Sequence, residues 1–196
     1  MTDRMHGVII EESSIHTPRL TLRPWTLQDA PAALAIYGTP DVSRWLAPAM
    51  QQVPDIPAME EILERWISEC DGRDLPEGRW AIELRETGEL VGGIALLPMP
   101  PYHGDLEIAW QLAPRAWGKG LAAEAGHAVA HQAFESGALI DELFAVVRPR
   151  NVRGAATAKS VGMEWVGETD KYYDLQLQVY RLRKADLDVP TEPRRS

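Results

Sequence analysis

The sequence predicts a single α/β domain with a mixed central sheet flanked by helices, and three observations carry that prediction. Two strand-like runs, residues 80–85 and 90–97, are joined by Glu86-Thr87-Gly88-Glu89, a hairpin signal. From residue 105 onward strand and helix patterns alternate, which calls for a sheet with helical crossovers. No repeat and no linker divides the 196 residues, a length that suits one domain with its own core.

Each element has its own signature. Thr17-Pro18-Arg19-Leu20-Thr21-Leu22-Arg23-Pro24 alternates apolar and polar side chains before a proline and reads as the first strand. Thr26 is an N-cap for a helix over 27–37, where Leu27, Ala30, Leu34 and Tyr37 recur at helical spacing until Gly38-Thr39-Pro40 breaks it. Residues 41–58 carry several prolines and read as irregular chain or short helical pieces. Ile62, Leu63, Trp66 and Ile67 make the apolar face of a helix over about 58–70. A proline-rich loop at 98–104 leads to a strand over 105–112. A helix over 122–136 turns Ala122, Ala125, Val129 and Ala133 inward, and Gly126 permits close packing. A short apolar strand at 143–147 is followed by a helix with Asn151 as N-cap and Gly162 as left-handed C-cap. Late strands fall at 165–167 and 176–183. Residues 1–16 read as an N-terminal extension, 17–186 as the domain and 187–196 as a loose polar tail.

Composition excludes several classes. Hydrophobic residues at 45% and charged residues at 25% are ordinary for a soluble globular protein. No apolar run approaches the roughly 20 residues of a membrane span, so no membrane partner is expected. The opening Met-Thr-Asp-Arg-Met-His lacks the apolar stretch of a secretory signal. Cys70 is the only cysteine, which rules out an internal disulfide and a cysteine-based zinc site. By elimination these features point to the cytoplasm. The net charge of -9 argues against general nucleic-acid binding. Between Arg115 and Lys159, however, six basic residues face four acidic ones, a local +2 that leaves -11 elsewhere. Such a patch suits a small anionic ligand, although solvated surface charge explains it equally well.

The turn Trp117-Gly118-Lys119-Gly120-Leu121-Ala122 lies between a strand and a helix. Glycines there allow close backbone approach, and the helix's first N–H groups and dipole favour an anion, which makes the turn a ready pyrophosphate site, although a bare strand-to-helix connection looks similar. Neither the Walker pattern nor the dinucleotide fingerprint matches it. In the strand over 105–112, plain alternation puts Glu107, Ala109, Gln111 and Ala113 on one face and Leu106, Ile108, Trp110 and Leu112 on the other. Two polar residues on one face of a central strand suggest a polar cleft, and a carboxylate there can take a proton from an attacking amine. An ordinary ion-paired glutamate is the competing account of Glu107. His127 and His131 share a helical stripe with Glu124 and Glu135, which reads as a wet surface rather than a metal site.

Read together and in order, these pieces resemble the GCN5-related N-acetyltransferase (GNAT) superfamily, and most closely its ribosomal-protein N-terminal acetyltransferase branch. The resemblance runs from about Thr17 to Leu182. It is carried by Thr17-Pro18-Arg19-Leu20-Thr21-Leu22-Arg23 with Asp29, by Leu90-Val91-Gly92-Gly93-Ile94 and by Leu106-Glu107-Ile108-Ala109-Trp110. The glycine turn and the Asn151 to Gly162 spacing complete it. It implies a splayed acyl-coenzyme A (acyl-CoA) cleft, acetyl-CoA as co-substrate, a primary amine on a small molecule or peptide N-terminus as acceptor, no metal, and a monomer or homodimer. It assigns cofactor contacts to Leu112, Trp117, Gly118, Lys119, Gly120, Leu121, Ala122 and Asn151, and the general base to Glu107. In the family's Gln/Arg-x-x-Gly-x-Gly/Ala loop, Trp117 falls on the first position, where it departs from Gln or Arg. A register beginning at Arg115 also fits formally. Two expected proton donors are missing, for the family's Ser and Tyr positions hold Gly154 and Ala158. Tyr172, Tyr173 and Ser160 are the substitutes, or the thiolate leaves without a positioned acid. Two other readings stand beside acetyl transfer: a non-catalytic acyl-CoA sensor, and a transferase that uses a larger donor such as succinyl-CoA.

Overall fold

Leu20 and Leu22 emerge from the same side of one strand and are fully buried, as are Ile82 and Leu96 on neighbouring strands; this repeated alternation builds the sheet around which the protein folds. A computed structural model describes residues 8–11, 14–46, 50–70, 76–101 and 104–187. The strands are β1 (Ile9–Glu11), β2 (Ser14–His16), β3 (Leu20–Pro24), β4 (Gly78–Leu84), β5 (Leu90–Pro98), β6 (Leu106–Leu112), β7 (Glu142–Val147), β8 (Glu164–Thr169) and β9 (Leu177–Arg183). The helices are α1 (Ala30–Tyr37), α2 (Pro40–Leu46), α3 (Ile56–Cys70), α4 (Leu121–Glu135) and α5 (Val152–Val161).

The strands form one sheet in the order β1-β2-β3-β4-β5-β6-β7-β9-β8. Neighbours are antiparallel except β6 and β7, which are parallel and register at a single Cα pair, Glu107 with Phe144. A parallel pair needs a crossover, and α4 supplies it. One face of the sheet packs with α4 in a core containing Leu22, Ile94, Ile108, Val129 and Phe134. A second core gathers Trp25, Ile36, Tyr37, Met59 and Leu63 from α1, α3 and their surroundings, against Ala81, Leu90 and Ala113.

Local chemistry explains the element ends. Asp29 accepts from both the backbone N–H (2.8 Å) and the hydroxyl (3.0 Å) of Thr26, which fixes a 3-10 turn at Leu27–Asp29 ahead of α1. Arg23 donates to Asp29 (2.7 and 2.8 Å) and Glu83 (2.6 Å), locking that turn to the sheet. Gly162 ends α5 at φ 102°, a left-handed conformation that glycine adopts without strain.

Three expectations change. Residues 9–16, read as an extension, pair onto the sheet edge as β1 and β2. The choice left open over 41–58 falls to a short helical piece, α2, followed by loop, with α3 beginning at Ile56 rather than at about 58. His131 is only 7% exposed rather than on a wet surface, and His127 Nε2 lies 3.2 Å from the carbonyl oxygen of Leu187, so the segment at Leu187 covers the histidine part of this stripe. The tail over 188–196 lies outside the described residues. Among the described residues no helix is long and apolar enough to cross a membrane.

Candidate active site

The parting of β6 from β7 opens a cleft of about 1110 Å³. Its floor is one face of the antiparallel half of the sheet. Arg79, Ala95 and Ala109 stand opposite one another across β4, β5 and β6, with Glu107 and Gln111 flanking Ala109 on the same side. All five line the cleft. Against them stands an aromatic wall, with the Arg79 guanidinium over the Trp66 ring, Cζ 5.1 Å from its centroid. Tyr37 of α1 and Trp66 of α3 meet edge to face at 5.3 Å, and Trp25 lies 5.8 Å from Trp66. Gly93 makes this approach possible, because a Cβ there would sit 2.5 Å from Tyr37 Oη and 2.8 Å from Trp25. Tyr37 Oη donates to Gln111 Oε1 at 3.3 Å, and burial raises the pKa of its phenol well above the usual value.

Glu107 is half-buried on this floor, and burial pushes its carboxyl up to about 7. Three groups oppose that rise: the Tyr173 hydroxyl, the Arg79 charge and a backbone hydrogen bond with Val146. Tyr173 Oη donates to Glu107 Oε2 at 2.5 Å. Tyr173 sits at φ 58°, in the left-handed region, in the segment between β8 and β9 that brings its ring into the cleft. Its own phenol is pushed far above the ordinary tyrosine range by burial and by the neighbouring carboxylate. Tyr172 takes another direction, donating to Asp105 Oδ2 (2.5 Å) in a small cluster with Met99 and Leu177. Ser160 donates to the carbonyl of Ala156 at 2.9 Å.

The glycine turn lies at the other end of the cleft. Gly118 and Gly120 adopt φ 74° and 73°. A Cβ on Gly118 would meet nothing within 4 Å, and one on Gly120 would meet only Arg19 Nη2 at 3.6 Å, so the approach to the α4 N-terminus is open. Glu124 N–H bonds Gly120 O at 3.0 Å, and the three N–H groups before it point out of the helix end. Glu124 braces this end. Its carboxylate accepts from Thr17 Oγ1 (2.6 Å) and from Arg19 N (3.0 Å) and Nε (2.6 Å), while Arg19 Nη1 donates to Lys119 O (2.9 Å). Burial pushes the Glu124 carboxyl up, but these donors outweigh it and hold it below the usual range.

Of the predicted cofactor residues, Leu112, Trp117, Gly118, Gly120, Ala122 and Asn151 line the cleft. Leu121 is buried in the core, so it offers its backbone alone, and Lys119 is an exposed turn residue. Trp117 Nε1 donates to Leu112 O at 2.9 Å. Arg115 instead bonds Glu89 (2.6 Å) and Leu90 O (3.1 Å). Asn151 Oδ1 accepts from Gly154 N at 3.1 Å, capping α5. This cap explains the missing serine, since a Cβ on Gly154 would sit 2.9 Å from Asn151 Nδ2 and 3.0 Å from Val147. Ala158 is fully buried, which leaves a tyrosine no room. Alternation places Gln111 on the cleft face with Glu107, whereas Arg79, Tyr37 and Trp66 are not singled out by the sequence as site residues, and only the cross-strand register and the α1–α3 packing bring them in. Among the described residues no group of three or more His, Cys, Asp or Glu side chains could hold a metal ion.

The Acetyltransferase (GNAT) domain family matches residues 19–164, well over half of the chain. This protein belongs to the GNAT acetyltransferase family. A curated GNAT relative, the uncharacterized N-acetyltransferase YoaA of Bacillus subtilis, is 32% identical over 111 residues, which span 56% of this chain and 60% of that protein. Among solved structures, an acetyltransferase from Agrobacterium tumefaciens superposes with a TM-score of 0.71 at 26% identity, covering 93% of this chain and 99% of the other. Mycobacterium smegmatis RimJ in complex with CoA-disulfide shares the GNAT fold, with a TM-score of 0.72 at 22% identity over 86% of this chain and 84% of that one.

Proposed function

We propose that this GNAT protein is an acyl-CoA-dependent N-acetyltransferase that moves acetyl from acetyl-CoA to a primary amine by direct attack. The observation that carries the proposal is the pairing of an open helix N-terminus with a half-buried carboxylate in one cleft. The residues suit the co-substrate. The α4 N–H groups and the bare flank of Gly118 accept a pyrophosphate, and the gap between β6 and β7 suits an extended arm carrying amides. CoA bound to the RimJ fold neighbour supports the same direction.

The chemistry follows from Glu107 and Tyr173. The amine nitrogen attacks the thioester carbonyl carbon, an N–C bond forms and the C–S bond breaks. Glu107, with a pKa of about 7, is balanced between holding and releasing a proton, and it takes the one the amine must lose. The thiolate leaves without a positioned acid, because the Tyr173 phenol, raised far above its ordinary range, holds its proton and serves to orient Glu107 through their 2.5 Å bond. Glu107 passes the amine's proton on to solvent, from which the thiolate is reprotonated, and both side chains are restored. Asn151 Oδ1 is engaged in its cap, so any hold on the arm falls to its amide nitrogen. The acceptor enters along the Tyr37–Trp66 wall, on which the Arg79 guanidinium rests with Cζ 5.1 Å from the Trp66 centroid.

The test mixes the protein and acetyl-CoA with a panel of amines and follows free thiol. Turnover with one or more amines is expected, and Glu107→Gln is expected to lower it by roughly 10²-fold with CoA affinity retained. CoA binding without turnover on any amine would favour the non-catalytic sensor. Preference for succinyl-CoA over acetyl-CoA would move the reading to a larger donor.

A further inference from the structure

Trp117 occupies the loop position where the family pattern has Gln or Arg, yet the structure does not leave that position without a polar group. The Arg153 guanidinium lies over the Trp117 ring, with Cζ 4.3 Å from the centroid. The ring is itself held edge-on by the Nε1 bond to Leu112 O at 2.9 Å. Arg153 comes from the first turn of α5, and it lines the same cleft as Trp117, Gly118, Gly120 and Ala122. We infer that Arg153, held by stacking on Trp117, is a phosphate-binding residue for the pyrophosphate of the acyl-CoA donor. It replaces from a second helix the polar side chain that the loop lacks. This inference rests on the acyl-CoA reading proposed above.

Ordinary accounts of Arg153 do not explain its place. A cation in the first turn of a helix opposes the helix dipole, so α5 gains nothing from it. Among the described residues no carboxylate forms an ion pair with it, whereas Arg19, Arg23, Arg79, Arg115, Arg181 and Arg183 all have one. Stacking on a partly exposed ring is by itself a weak attraction. What the stack does supply is orientation. A guanidinium resting on a fixed ring loses freedom while its N–H groups stay available for bidentate phosphate recognition. The α4 N–H groups would meet one side of the pyrophosphate and Arg153 another.

Calorimetry with CoA and with dephospho-CoA, which keeps the pyrophosphate but lacks the ribose phosphate, tests the assignment. Arg153→Ala is expected to weaken both ligands by about tenfold and by the same factor. Lys159→Ala removes the same charge from the other end of α5, outside the cleft, and is expected to change affinity less than about twofold. Arg153 is exposed, so its truncation is expected to leave the melting temperature unchanged. Unchanged affinity in Arg153→Ala would overturn the inference, and so would an equal loss in Lys159→Ala. A loss for CoA alone would place Arg153 on the ribose phosphate and overturn the pyrophosphate assignment. Wild-type protein that binds neither ligand would sink the acyl-CoA reading itself, a result distinct from these.

Discussion

Glu107 is held near neutrality by opposing forces, and the pH dependence of turnover should expose them. Burial raises its pKa to about 7, whereas the Tyr173 hydroxyl and the Arg79 charge both favour the carboxylate. A base works when deprotonated, so kcat/KM should rise with pH through about 7. Tyr173→Phe removes a donor to the carboxylate, the protonated form gains, and the acid limb should move to higher pH. Arg79→Gln should move it the same way. A limb that stays in place in Tyr173→Phe would show that another group titrates. How much of this site could be read from the sequence depends on whether a residue's role is local. The face of Glu107 and the glycine turn follow from strand alternation and turn chemistry. Tyr173 was one of three alternatives, because the order β7-β9-β8 decides which tyrosine enters the cleft. Arg79 and Tyr37 carry no local sign at all, since cross-strand register and helix docking place them.

Elements with long patterns were legible, and the shortest were not. α4 shows its buried stripe over 15 residues, while β1 and β2 have three each, too few for alternation to register. The histidine stripe misled for a similar reason: the chain near Leu187 folds back over it, a contact far away in sequence. Lys184 strengthens that closure by donating to Phe134 O at 2.6 Å. At this scale Gly126 makes a sharp prediction. A Cβ there would sit 2.8 Å from Val161 Cγ2, so α4 and α5 touch through this glycine. Gly126→Leu should cost about 1–3 kcal/mol in denaturant unfolding by overpacking the contact. Adding Val161→Ala should return part of the loss, because it removes the atoms that clash. If the double variant is no more stable than Gly126→Leu alone, the helices are not held at that point.

Across the whole molecule, charge and architecture divide the work. The protein is acidic at -9, yet the segment that carries the phosphate loop and Arg153 has a local charge of +2, which would favour an anion at that end of the cleft. The sheet brings together an antiparallel half ending at β6 and a second half beginning at β7, and those two strands share one Cα pair. Beyond it, peptide groups on both edges face the opening with no strand between them. Such groups exchange their amide protons with solvent readily. Adding CoA should therefore slow deuterium uptake in peptides covering β6 and β7 together, with little change at β3 or β8. Uptake that slows only around α4 would mean the ligand touches the loop but does not enter the gap. The empty rung has a broader consequence: the protein is a template one strand short. Its substrate would complete the secondary structure as it binds, so recognition of the arm would rest on backbone geometry, which side-chain substitution cannot easily erase.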